Sequence, residues 1–437
     1  MIHHFYLGCT NFFNWFKGAN HRTVTYTITN MGSKGFAAIT QLYAIFVFTR
    51  MHTQDEAALI FLLMGYAIWF QVFDFGLAQT LQNKFNAKQM SADEMLIIIV
   101  AHYLCMLVIA GFVVSTPYLA NALLSPNKSA TEIQAFSLGA AILLTASNNV
   151  MSQRFLLVFN KGLLGNALIM LQSALAVVGL ASYEYWNHAD LLVAIFLYLG
   201  PQVLVHMPLV LGWIFKLLRN SSRIKDIKLG SIIHDALGFW GLGVLAAIFL
   251  GSDYYFAAHY MNGQQVVSYH LVTRIFFISF VPYYAYVQHS ARRLSVRSLK
   301  GTDGVVKSIL KDSVSIGLVM VFTVYGVVAF LDGTGVFERM TIGGGIGQSM
   351  LFSAFVYYTI RVCLDVGLVV MLGLNARAIM YKVYALETVV GLSLMSVIVP
   401  KYGGQGLFTS LSLACALGLA LLIHQGKKMG IVLTNKG

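Results

Sequence analysis

The chain has 437 residues, of which 58% are hydrophobic and only 11% charged, and its mean hydropathy is +0.72. A water-soluble domain carries roughly 25% charged residues, so this composition excludes a soluble globular protein and predicts an all-α, polytopic membrane protein. The net charge of +12 does not mark a nucleic-acid binder, because the basic residues sit in short loops between apolar runs, as the positive-inside rule requires.

Residues 1–27 read as a cytoplasmic N-terminal segment. Its start mixes His3, His4, Asn11, Asn14 and Lys17 with aromatics and has no continuous apolar core, which argues against a cleavable signal. Phe5–Phe16 is either an interfacial helix or a disordered lead.

Twelve runs are long enough to cross about 30 Å of hydrocarbon as helices. The first six are Ile28–Thr49, Ala57–Leu81, Met95–Ala120, Ile133–Phe159, Leu163–Tyr185 and Leu191–Leu218. The second six are Ile232–Leu250, Val266–His289, Val314–Leu331, Ile346–Gly373, Ala378–Val399 and Gly406–His424. A basic stretch, RNSSRIKDIK, falls between the sets. It predicts two six-helix bundles, 28–218 and 232–424, joined by a cytoplasmic linker at 219–231 and followed by a cytoplasmic tail at 425–437.

Of the 29 Lys and Arg, only Arg50, Lys128, Arg339 and Lys401 fall on one side of this arrangement. Arg274 and Arg361 lie within runs, and the others fall on the opposite side. Both termini are therefore expected in the cytoplasm. The junction TRMHTQDEAALI before the second run also resembles AHYMNGQQVVSY before the eighth, a faint internal repeat of a kind common in transporters.

The polar residues inside the runs carry most of the functional information. A charge at the bilayer centre costs about 2.5 kcal/mol or more, so Arg274, flanked by Val272, Ile275, Phe276 and Phe277, is expected to face a polar interior. His270, Thr273, Arg274 and Phe277 share one helix face. Arg361 has Asp365 one turn later, a spacing that permits an ion pair; the pair either lets a costly charge insert or acts as a switch. Tyr357 and Tyr358, on the turn before, read as packing or as stacking surfaces.

Thr145, Asn148, Asn149 and Ser152 form a polar stripe that either lines a lumen or bonds helix to helix. Arg154 follows it, close to the cytoplasmic end, as a substrate contact or a snorkelling topology charge. Gln71, Asp74 and Gln82 lie on one face. Asp74 and Glu387 are candidate H+ or Na+ coupling acids, and Asp74 reads equally as a helix-end or ion-pair residue.

Other patterns carry no chemistry. Cys9, Cys105, Cys363 and Cys415 are scattered and form neither a disulfide frame nor a metal spacing. Gly343, Gly344, Gly345 and Gly347 lack the Lys-Ser/Thr of a phosphate loop. Gly238, Gly241 and Gly243 read as close helix packing, and Asn127-Lys128-Ser129 as a chance sequon. No nucleophile has a plausible base, so no enzyme is expected, and no cofactor beyond a coupling ion.

Three segments resemble one family. FLGSDYYFAAHYMNGQQVVSYHLVTRIF is similar to the seventh-to-eighth helix region of the polysaccharide flippases of the multidrug/oligosaccharidyl-lipid/polysaccharide (MOP) exporter superfamily. VFDFGLAQTLQNK and IVPKYGGQGLFTSL resemble the family as well. In that family an Asp closes the seventh helix and a Tyr opens the eighth, places that Asp253 and Tyr269 fit. The resemblance implies two six-helix bundles with a central cavity and alternating access. It also implies export of an undecaprenyl-diphosphate-linked oligosaccharide, an O-antigen or capsular unit, across the inner membrane. The expected partners are that lipid-linked oligosaccharide, membrane lipids, and the polymerase and chain-length proteins of the same pathway. The chain departs from the lipid II flippase branch, with its typical fourteen spans.

A diphosphate needs cationic donors and sugars need polar and aromatic surfaces. The substrate-binding candidates are therefore Arg274, Arg361, Arg154, Asn149, Tyr269 and His270. The coupling or gating candidates are Asp74, Asp365, Asp253 and Glu387. The alternatives are a multidrug/cation antiporter of the same fold and a membrane-embedded enzyme of polysaccharide assembly.

Overall fold

The computed structural model describes residues 21–124, 128–186, 190–219, 229–280, 283, 287, 303–340, 346–374 and 376–428. Phe5–Phe16, most of the 219–231 linker, the end of the eighth run, Gly343–Gly345, Asn127 and the tail beyond Lys428 lie outside them. Every described element is a helix. In chain order these are α1 (His21–Met51), α2 (Gln54–Gln71), a 3-10 turn (Val72–Asp74), α3 (Leu77–Asn86), α4 (Ala92–Ser115) and α5 (Tyr118–Leu123). Then come α6 (Ala130–Ala146), α7 (Asn148–Val158), α8 (Gly162–Tyr185), α9 (Leu191–Leu204), α10 (Met207–Arg219) and α11 (Leu229–Tyr260). The rest are α12 (Gly263–Ser279), α13 (Asp303–Gly333), α14 (Val336–Met340), α15 (Gln348–Gly373) and α16 (Arg377–Lys428).

Ten described helical stretches are long and apolar enough to cross a membrane. The longest, α16, is 52 residues and carries the eleventh and twelfth runs, joined at Pro400 and Gly403, whose φ of 53° and ψ of −132° are open to glycine alone. Large apolar side chains face outward along these helices: Val108 is 74% exposed, Phe330 70% and Val397 62%. Water would not tolerate such continuous apolar walls, and lipid does. The protein is a multi-pass membrane protein.

The chain forms two compact units, Gly32–Val267 (the N-terminal unit) and Ser268–Gly437 together with Met1–Met31 (the C-terminal unit). In the N-terminal unit α2 is the hub. It is apolar on every side and buried from Ala57 to Tyr66, as a helix surrounded by others must be. It packs against α6 and α11, while α9 bridges α6 and α8. In the C-terminal unit α15 packs along α16 and α13.

Helix starts in the N-terminal unit are written in the sequence. Thr53/Glu56, Ser91/Glu94 and Ser129/Glu132 form reciprocal capping boxes at the heads of α2, α4 and α6, so two orphan N–H groups are satisfied at each. Ser91→Ala should cost about 1 kcal/mol, read as a small drop in the thermal midpoint of the detergent-solubilised protein. At the α1–α2 turn the His52 ring is buried, and its Nε2 donates to the Tyr183 hydroxyl at 2.9 Å. That hydroxyl donates to the Asp190 carbonyl at 3.1 Å, fastening the turn to α8 and the head of α9. Burial holds the His52 imidazole below the ordinary histidine value, against the pull of Glu56.

Three apolar runs that read as single helices are interrupted. The second turns at Phe75 (φ 50°) and Gly76 (φ 70°), both left-handed, between the 3-10 turn and α3. The break rests on Gly76, where a β-carbon would meet the Ala236 carbonyl and the Trp240 amide of α11. The fourth run is interrupted only at Ser147, which keeps right-handed helical angles (φ −55°, ψ −29°) while its hydroxyl turns back to the Leu144 carbonyl at 2.7 Å. The sixth breaks after Leu204, one turn past Pro201.

Candidate functional site

The candidate residues fall into three local settings, one on each of two parts of the C-terminal unit and one in the N-terminal unit.

The first setting is a buried charge cluster between α15 and α16. Arg361 Nη2 lies 2.7 Å from Asp365 Oδ1, one turn along α15. Its Nη1 lies 3.6 Å from Glu387 Oε1 on the first arm of α16, and 3.9 Å from Cys415 Sγ on the second arm. The Glu387 side chain is wholly buried, and Arg361 and Asp365 nearly so. The β-carbon position of Gly418 sits 3.0 Å from Glu387 Cγ, so a glycine there leaves the carboxylate its room. One guanidinium thus serves two carboxylates and a thiol, and the cluster draws on three helical segments, α15 and both arms of α16. The i, i+4 pair expected from the sequence is present, and Glu387 joins it.

The second setting is the α12 face. Arg274 is half-buried, and its Nε donates to His270 Nε2 at 3.3 Å, with His270 fully buried one turn earlier. Phe277, one turn on, is exposed. Tyr269 is buried against Phe408 with ring centroids 4.9 Å apart. Tyr358 stacks flat on Phe276 at 4.6 Å, donates its hydroxyl to the Thr273 carbonyl at 3.2 Å, and lies 4.9 Å from Tyr357. These tyrosines are buried against one another and against Phe276 and Phe408.

The third setting lies where the N-terminal unit's helices break. Asp74 Oδ1 accepts from the Gly76 amide at 2.8 Å, closing the left-handed turn that starts α3. With this turn in place, Gln71, Asp74 and Gln82 do not share one continuous helical face. Arg154 of α7 donates to Gln82 of α3 at 2.8 Å. Asn149 donates to the Gln202 carbonyl of α9 at 2.8 Å. Thr145 bonds back to the Ala141 carbonyl at 2.9 Å. Two members of the stripe, Asn148 and Asn149, reach other helices, and Thr145 bonds within its own. Asp253 is buried within α11, two turns before its end, with Oδ1 accepting from the Tyr254 amide at 2.8 Å.

His102 of α4 has no place among the sequence-derived candidates, yet it sits at this meeting of breaks. Its Nε2 lies 2.7 Å from the Phe73 carbonyl in the 3-10 turn, and its Nδ1 lies against Asn148 Oδ1 at the head of α7. The signal in the sequence was a lone ionisable side chain in an apolar run, a functional position by default.

The structure of the lipid II flippase MurJ in an inward closed conformation superposes with a TM-score of 0.72, at 13% identity, over 92% of this chain and 87% of that one. An inward-facing multidrug resistance MATE family transporter of the MOP superfamily gives 0.68 at 12% identity, over 93% of this chain and 96% of that one. The fold is that of the MOP transporters. A MOP superfamily transporter from Pyrococcus furiosus gives 0.62 at 14% identity, over 94% and 95%. No protein-family model matches the sequence, and no curated protein matches it. At these identities the MOP likeness extends to the path of the chain and to no individual side chain.

Proposed function

We propose that the protein is an inner-membrane flippase for an undecaprenyl-diphosphate-linked oligosaccharide, with both termini cytoplasmic, and that Arg274 is its principal contact to the diphosphate. The MOP fold supports this reading, and one solved structure of that fold is titled a lipid II flippase. The single observation that carries it is the partial exposure of Arg274 on a largely apolar helix. The charge of Arg361 is taken up by Asp365 and Glu387 inside the protein. Arg274 is half-buried, with His270 as its neighbour one turn back on the helix. An arginine fork in such a place suits bidentate binding of phosphate oxygens.

The remaining candidates fall into two groups. Arg154, bonded to Gln82, is the auxiliary cation. Asn149, Tyr269 and His270 are further substrate-binding candidates, and the acids Asp74, Asp365, Asp253 and Glu387 are the coupling or gating candidates.

The test is Arg274→Ala and Arg274→Lys in cells that depend on the protein for surface polysaccharide. The alanine variant should reach the membrane in normal amount yet reduce surface polysaccharide at least tenfold, with lipid-linked units accumulating inside. The lysine variant, a point charge without the fork, should recover part of the loss. Normal polysaccharide in Arg274→Ala would remove the proposal's main support.

A further inference from the structure

We infer that His102 is a proton-binding site of the N-terminal unit: in this state its ring is an imidazolium, and the proton on Nδ1 is what ties α4 to the junction between α6 and α7. The inference stands whatever the cargo is and whether or not Arg274 meets it.

A neutral imidazole has one N–H and one lone pair. Here both ring nitrogens face oxygens. Nε2 meets the Phe73 carbonyl at 2.7 Å, and Nδ1 meets Asn148 Oδ1. The carbonyl can only accept. The amide of Asn148 could in principle be turned over to offer its NH2 to the ring. That would bring its oxygen against the Thr145 carbonyl, to which Nδ2 now donates at 3.0 Å. With the ring as placed, either amide orientation sets one lone pair of a neutral imidazole or of the amide against another in a buried site. An imidazolium, with two donors for two acceptors, sets none.

The surrounding charges agree. Asp74 follows Phe73 in the 3-10 turn, and its carboxylate is within electrostatic reach of His102 and of Arg154 on α7. Of the other charged groups on helices packed against α4, Arg219 is exposed at the end of α10, and three are paired. Lys84 of α3 pairs with Asp235 at 2.6 Å, Lys216 of α10 with Asp93 at 3.1 Å, and Glu132 of α6 with Lys128 at 2.7 Å.

The location gives the proton something to do. The broken helix α2–α3 and the α6–α7 junction meet this one ring through its two nitrogens, and broken helices are where transporters hold ions. Loss of the proton deletes one of the two bonds that hold them to α4. The change has a built-in reporter. Phe75 lies edge-on to His102 with centroids 5.9 Å apart, and Trp240 of α11 lies 5.8 Å from Phe75. The Trp240 indole N–H donates to the Val72 carbonyl at 3.1 Å, in the same turn.

The experiment titrates the tryptophan fluorescence of the purified protein in lipid nanodiscs from about pH 5 to pH 9. Wild type should show a one-proton transition that is lost in both Trp240→Phe and His102→Gln. Asn148→Leu, which removes the Nδ1 acceptor, should move it to lower pH. No transition in wild type, or one that survives in His102→Gln, would overturn the inference. Should His102→Gln fail to fold, the nitrogen resonances of 15N-histidine-labelled wild type decide the matter at neutral pH. An imidazolium pattern for His102 supports the site, and a neutral tautomer overturns it.

Discussion

Arg361→Met should cost the protein about 3–5 kcal/mol of stability, the largest loss expected from any single substitution in the C-terminal unit. The methionine fills a similar volume, so the effect is electrostatic. Removing the guanidinium leaves Asp365 and Glu387 facing each other's charge in a site closed to water, where they lie 2.7 and 3.6 Å from the lost groups. Neither can recover by solvation. Arg361→Lys should fall between, because an ammonium cannot span two carboxylates and the Cys415 sulfur as a planar fork does.

The triple variant Arg361→Met/Asp365→Asn/Glu387→Gln separates stability from transport. It removes the uncompensated charges together, and the folded yield in detergent should return towards wild type. A thermal midpoint for Arg361→Met equal to that of wild type would show that the cluster does not hold α15 to α16.

Gly76→Ala should be comparably severe in the N-terminal unit. Two penalties act at once. The residue has φ of +70°, which costs a residue with a β-carbon about 1–2 kcal/mol. The new methyl would also enter the space of the Ala236 carbonyl and the Trp240 amide. Those are backbone atoms of a long helix, so they cannot swing aside, and overpacking of this kind adds about 1–3 kcal/mol. The control is Gly212→Ala on α10, where a β-carbon meets nothing within 4 Å. There the substitution should be neutral or stabilise by about 0.5–1 kcal/mol. Thermal unfolding of the two variants beside wild type checks both signs. Equal midpoints for Gly76→Ala and Gly212→Ala would mean that α11 does not approach the break as closely as described.

The individual helices were legible because each had to be apolar for about twenty residues. The run Leu163–Tyr185 became α8, Gly162–Tyr185, and Met95–Ala120 became α4, Ala92–Ser115, capped where Ser91 and Glu94 stand three residues apart. The Arg361–Asp365 pair was legible for a similar reason, since one turn of helix brings i and i+4 together. The breaks were harder. VFDFGLA is apolar enough to continue a helix, and only Gly76 hints that it does not. Ser147 gives no hint at all, because a serine in a membrane helix commonly bonds to its own backbone without interrupting it. The polar stripe beside it was visible as a stripe, but its two readings differ only in what lies across from it.

Local spacing therefore determined the class of the protein, its membrane-crossing runs and its arginine–aspartate pair, because those depend on one helix meeting lipid or itself. The tertiary structure alone decided that Glu387 and Cys415 join Arg361, that α11 closes on Gly76, and that His102 stands between the α2–α3 break and the α6–α7 junction. Each of those contacts joins residues far apart in the chain. The apolar surfaces that bring their helices together are chemically alike, so nothing in one run names its partner; only packing chooses among them.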